Sequence, residues 1–139
     1  MPQEFSAGFV AFKRAESIKF LLLKYTKGYW GFSHGMIEKG ESSRDAAIRE
    51  FKEETGLGLK KIFDGFKEIS EFFYRKEGKI VHKEVTFYLG EAEEGDVKLT
   101  EHSDFGWFDF EEAMKNLKFK NDKEILKKAN DFLNEYYKD

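Results

Sequence analysis

The sequence has no cysteine, which excludes a disulfide framework, a thiolate metal site and a cysteine nucleophile. It has no apolar stretch near the roughly 18 residues that a membrane-spanning helix needs. The opening MPQEFSAGFV lacks a basic segment followed by a long apolar one, so no secretory signal is expected and the expected compartment is the cytoplasm. There is no excess of positive charge: 24 Lys and Arg stand against 27 Asp and Glu, a formal net charge of −3. That argues against a broad nucleic-acid-binding face, although a metal and a few local cations can still draw an anion into a cleft. Proline occurs once. No linker, low-complexity tract or internal repeat divides the chain, so residues 1–139 are expected to form a single domain.

What is present is the composition of a globular chain, 40% hydrophobic and 37% charged. EFSAGFVAFK (4–13) and SIKFLLLKY (17–25) are near-continuous apolar runs that read as buried strands around a polar turn at 14–16. Residues 42–55 have helical character, with Ser42 as N-cap, Asp45 three positions on and Gly56 as the stop. Ala47, Ile48 and Phe51 are expected on its buried side. Further strands are expected at 60–74 and 79–91, joined by a turn at Glu77 and Gly78. A short strand at 105–108 and helices near 110–117 and 121–137 complete the pattern. Strands interleaved with helices at both ends predict an α/β fold, a mixed sheet covered on two faces.

The chemistry concentrates in GMIEKGESSRDAAIREFKEETGL, residues 35–57. On a helix, Glu50, Glu53 and Glu54 fall within roughly 100° of one another. They are expected to point away from the side that buries Ile48 and Phe51, and to raise one another's pKa unless a cation intervenes. An oxygen-only cluster of this charge suits Mg²⁺ or Mn²⁺ held together with substrate phosphates. Taken alone, REFKEE also reads as an exposed Glu-rich helix with an ordinary Arg49–Glu53 surface pair. What precedes it is a loop containing Gly35 and Gly40, glycines that permit close backbone approach to a ligand.

Gly35, Glu41, Arg49, Glu50, Phe51, Glu53, Glu54, Gly56 and Leu57 together fill every fixed position of the Nudix signature. The chain thus resembles the Nudix hydrolase family, over nearly its whole length. The resemblance implies an α/β/α sandwich and a divalent-cation-dependent hydrolysis of nucleoside diphosphates linked to another group. By position, Glu50, Glu53 and Glu54 would hold the Mg²⁺ or Mn²⁺, with one of them, or a Glu outside the motif, activating water. Glu41 would support the cluster, and Arg49 would orient a carboxylate, with Glu53 its expected partner.

SAGFVAF, FLLLKY, GYWGFSHG, HKEVTFYLGEA and LTEHSDFGWFDFEEA resemble the diadenosine tetraphosphate hydrolase branch, which implies a dinucleoside polyphosphate substrate cut to ATP and AMP. The branch usually carries Pro-Lys where this chain has Ser33-His34. His34 would meet phosphate as a donor or, when protonated, as a cation. Lys83 is expected to contact polyphosphate, and Tyr74, Phe105 and Tyr29 are expected to offer rings for base stacking. Glu101, beside His102 in a loop before a strand, is a further candidate ligand or base. ADP-ribose or nucleoside triphosphates are the alternative substrates, and a nucleotide-sensing module without turnover is the alternative from another class. No nucleic-acid or membrane partner is expected.

Overall fold

The computed structural model describes residues 1–138. A seven-stranded mixed sheet is built from β1 (Gln3–Arg14), β2 (Ile18–Lys24), β3 (Trp30–Gly31), β4 (Ser33–Met36), β5 (Leu59–Lys76), β6 (Lys79–Ala92) and β7 (Asp104–Phe108). Three helices cover it: α1 (Ser43–Thr55), α2 (Phe110–Asn116) and α3 (Lys120–Tyr136). The order is β3-β2-β1-β6-β5, with β4 added to β1 and β7 to β2. β1 runs parallel to β6 and antiparallel to β2 and β4.

The near-continuous apolar character of β1 and β2 follows from burial on both faces. Alternate side chains of these strands feed two separate cores. Val10, Phe12, Phe20 and Leu22 join Leu126, Ala129 and Leu133 of α3 on one side. Ala7, Phe9, Leu21 and Leu23 join Ala46, Ala47 and Phe51 of α1 on the other. The expected mixed sheet between helices is the architecture found. No helix among the described residues is long and apolar enough to cross a membrane.

The local signals hold. Ser42 accepts a hydrogen bond from the Asp45 N–H at 3.0 Å, and Gly56 ends α1 in the left-handed region at φ 76°, which favours glycine. Glu77 and Gly78 both have positive φ, as a tight two-residue hairpin turn requires. Two expectations fail. Ile48 is 37% exposed, while Glu54 and Thr55 are buried beside Phe51. The buried stripe of α1 thus runs through positions 46, 47, 51, 54 and 55, and Glu54 lies on it rather than opposite it. The strands β3 and β4 were not expected at all, because four residues containing Ser, His and Gly carry little strand propensity.

Candidate active site

β4 is the hinge of the site, because its side chains divide between the two faces of the sheet. Ser33 and Gly35 pair with Phe9 and Ala7, on the side covered by α1, and His34 pairs with Gly8 on the opposite side. The Glu50 carboxylate lies directly over Gly35: a Cβ there would stand 2.0 Å from the Glu50 carboxyl carbon. Any side chain at position 35 would have to displace that carboxylate. Ser33 Oγ donates a hydrogen bond of 2.5 Å to Glu54 Oε1. Two of the three motif carboxylates of α1 thus rest on β4.

Arg49 ties the acids together. Its Nε and one terminal nitrogen fork onto Glu41 at 2.7 and 3.0 Å. The other terminal nitrogen donates to Glu50 at 2.9 Å and to Glu53 at 3.3 Å, while the terminal nitrogen bonded to Glu41 also donates to Met36 O at 3.0 Å. The expected Arg49–Glu53 pair exists, but the paired, two-bond contact goes to Glu41 instead. Such a fork is the strong form of this interaction, and it holds the Glu41 carboxyl down at about 2, helped by the Glu38 N–H.

The other carboxylates move the opposite way. Burial raises Glu50 above the usual range against the pull of Arg49, and the charges of Glu53 and Glu101 add to the rise. Burial likewise pushes Glu54 up to about 8, opposed by the Ser33 hydrogen bond and reinforced by Glu50 and Glu101. Glu53 faces solvent, and Glu101 is exposed in the loop before β7. Carboxylate oxygens crowded by burial and mutual repulsion, as at Glu50 and Glu54, fit a hard divalent cation. Among the described residues no three such side chains already close around one point.

His102, the neighbour of Glu101, reaches the cluster. Its Nε2 stands 4.0 Å from Glu54 Oε2, and its Nδ1 is buried with no hydrogen-bond partner among the described residues. The Tyr25 ring meets it edge-on at 4.4 Å.

Across β4 lies a cavity of about 420 Å³ lined by Tyr25, Tyr29, His34, Phe72, Phe73, Phe87, Phe119 and Asp122 among others. His34 is one of its walls. The Tyr25 hydroxyl donates to the Phe32 carbonyl at 2.5 Å and sits 2.9 Å from His34 Nδ1. Burial, with the charge of Lys83, lowers His34 to about 4, so it is neutral at pH 7. The expectation that His34 could act as a cation is corrected by that burial.

The structure divides the expected substrate residues. Tyr29 lines the cavity, with its ring stacked on Tyr25 at 5.0 Å. Lys83 shares the sheet face of Val85 and Phe87 and stands opposite Phe72, and burial lowers its pKa. Tyr74 does not line the cavity; its hydroxyl donates to the Glu4 carboxylate. Phe105 packs into the α1-side core and is likewise absent from the cavity. Phe72 and Phe119 provide rings there instead. The alternation of β5 opposite Lys83 was a usable signal for Phe72, but nothing local marks Phe119.

The profile of the NUDIX domain matches residues 4–129. A bis(5'-nucleosyl)-tetraphosphatase (asymmetrical) from Sus scrofa is 34% identical over 125 residues, covering 84% of this chain and 82% of the relative. The protein of that name from Caenorhabditis elegans is 32% identical over 133 residues, covering 92% and 95%. A solved binary complex of a C. elegans Ap4A hydrolase superposes with a TM-score of 0.82 at 31% identity, covering 94% of this chain and 97% of that one.

Proposed function

The chain belongs to the Nudix family, and from that premise we propose that it hydrolyses dinucleoside polyphosphates with Mg²⁺, cutting diadenosine tetraphosphate into ATP and AMP. The observation that carries the reading is the double use of β4. Ser33 holds Glu54 on one face of the sheet, and His34 walls an aromatic cavity on the other. The two β4 residues that meet the acids for the reacting phosphate and the rings for a base are thus neighbours in the chain.

Glu50, Glu53 and Glu54 would hold Mg²⁺, and Mn²⁺ equally suits their oxygen donors. When bound, the cation supplies positive charge against the phosphate oxygens and lowers the cost of deprotonating water. Water attacks phosphorus, a phosphoanhydride P–O bond breaks, and the nucleotide leaves as ATP or AMP. Glu53, the exposed member of the three, takes the proton of the attacking water, with Glu101 as the second candidate. Arg49 fixes Glu41, Glu50 and Glu53 relative to one another, and so sets the geometry without touching the reacting atoms. Lys83 meets the polyphosphate as a cation, His34 through the N–H of its neutral ring. Tyr29, Phe72 and Phe119 receive a base, by contacts worth about 1–3 kcal/mol each.

The test is turnover of a panel with Mg²⁺: diadenosine tetraphosphate, ADP-ribose and nucleoside triphosphates, with products separated by chromatography. Fastest turnover of diadenosine tetraphosphate, giving equal ATP and AMP, is expected. Faster cleavage of ADP-ribose would move the chain to another Nudix substrate. Tight nucleotide binding with no turnover would make it a sensing module.

A further inference from the structure

We propose that Asp122 makes the cavity selective for a base carrying an exocyclic amino group, by accepting a hydrogen bond from that group. This rests on the reading of the cavity as the base site of a nucleotide. Aromatic walls bind any base face with little discrimination, so a choice among bases has to come from a polar group at the base edge. Asp122 is the third residue of α3, whose first turn closes the cavity together with Phe119. Its Oδ2 reaches towards β3, 3.8 Å from where a Cβ on Gly31 would stand.

The carboxylate has no structural employment there. Among the described residues no side-chain hydrogen bond or ion pair reaches it, and burial is the sole cause that raises it, to about 6. A half-buried, unpartnered acid costs stability. The start of α3 favours an acid in its first turn, but an exposed carboxylate would serve the helix as well as one turned into a cavity. The neighbouring Asn121 is already engaged: its side-chain amide donates to Ser70 Oγ and to Glu71 O, both at 3.2 Å, anchoring α3 to β5. That anchor fixes the position of Asp122. The same point above Gly31 lies 3.2 Å from the Tyr25 ring, so the carboxylate stands beside Tyr25 within the aromatic enclosure.

Once ionised, the carboxylate only accepts hydrogen bonds. It therefore favours a base edge with an amino donor over the same ring without one. Calorimetry at about pH 8 with Mg²⁺ present, using 5'-AMP and purine riboside 5'-monophosphate, isolates that amino group. The native protein should bind AMP roughly tenfold tighter than the analogue. In Asp122→Ala the ratio should fall to within about twofold, with the analogue bound as before, which also reports that the cavity is folded. Asp122→Asn, which keeps an acceptor, should retain part of the preference. Equal binding of the two ligands by the native protein, or a tenfold preference surviving in Asp122→Ala, would overturn the proposal. Absence of diadenosine tetraphosphate turnover, with this preference intact, would instead overturn the proposed reaction and leave the base selectivity standing.

Discussion

The two faces of β4 are built in opposite ways. On the α1 face, charged groups are cross-linked: Arg49 alone engages Glu41, Glu50 and Glu53, and Ser33 holds Glu54. On the cavity face the rings of Tyr29, Phe72 and Phe119 make an apolar space, and the polar Asp122 has no hydrogen bond or ion pair among the described residues. The contrast teaches a division of labour. Chemistry demands fixed geometry, so its acids are tied before anything binds. Base binding demands a surface and one open polar contact, so its partner is left for the ligand to supply. Substitutions should therefore fall into two kinetic classes.

The largest effect is expected for Glu54→Gln, which removes a proposed ligand charge from the α1 face. Its kcat should drop by roughly 10²–10³, a loss of the size that follows removal of a charge-bearing catalytic group, while calorimetric affinity for AMP stays within about twofold. A matched loss of AMP affinity would mean that the two faces are not separable. Next is Arg49→Lys, which keeps the charge and loses the fork. Mn²⁺ affinity followed by electron paramagnetic resonance should weaken by about 10–100-fold, the scale at which outer-shell partners act on a metal site. Affinity within twofold of native would show that the acids hold their places without the fork.

The α1 face also carries a pH signature of its own. Glu54 binds its proton more tightly folded, at about 8 against an ordinary 4.5, so its contribution to stability is complete below 4.5 and lost as pH rises through 8. Glu41, His34 and Asp122 titrate at about 2, 4 and 6, so their shifts act mainly below pH 6.5. Between pH 6.5 and 8.5 the chelated protein should therefore lose about 2 kcal/mol, seen as a Tm lower by several degrees. Excess Mg²⁺ should restore it, most strongly at the higher pH. A flat Tm in chelator across that range would mean that Glu54 is ionised in the fold. The smallest effect is expected for Lys83→Met, which should raise KM for the tetraphosphate several-fold and leave kcat within about twofold. A fall in kcat alone would put Lys83 with the chemistry instead.

The same contrast governs what was legible in the sequence. The α1 face comes from one contiguous segment, residues 35–57, with Gly35 and Arg49 at the spacings of the Nudix signature, so the resemblance marked its residues as candidates. Even there, two things depended on tertiary contact. Ser33 lies outside the segment and becomes a partner of Glu54 only when β4 pairs with β1. Glu54 is buried because the helix rotates to put it beside Phe51, which leaves Ile48 exposed. The cavity face is assembled from six separate places: the turn holding Tyr25 and Tyr29, then β3, β4, β5, β6 and the start of α3. With 16 Phe in the chain, composition could not distinguish Phe119, which lines the cavity, from Phe105, which fills a core. Tyr74 was expected at a ring position, but its hydroxyl is committed to Glu4.

The most direct test is steady-state kinetics on diadenosine tetraphosphate for a Phe72→Ala/Phe119→Ala variant beside Glu53→Gln. If acids and rings divide chemistry from base binding, the double ring variant raises KM at least tenfold with kcat within about threefold. Glu53→Gln then lowers kcat by roughly 10² or more with KM little changed. A ring variant that loses kcat while keeping its KM, or a Glu53→Gln protein with the native kcat, would contradict that division.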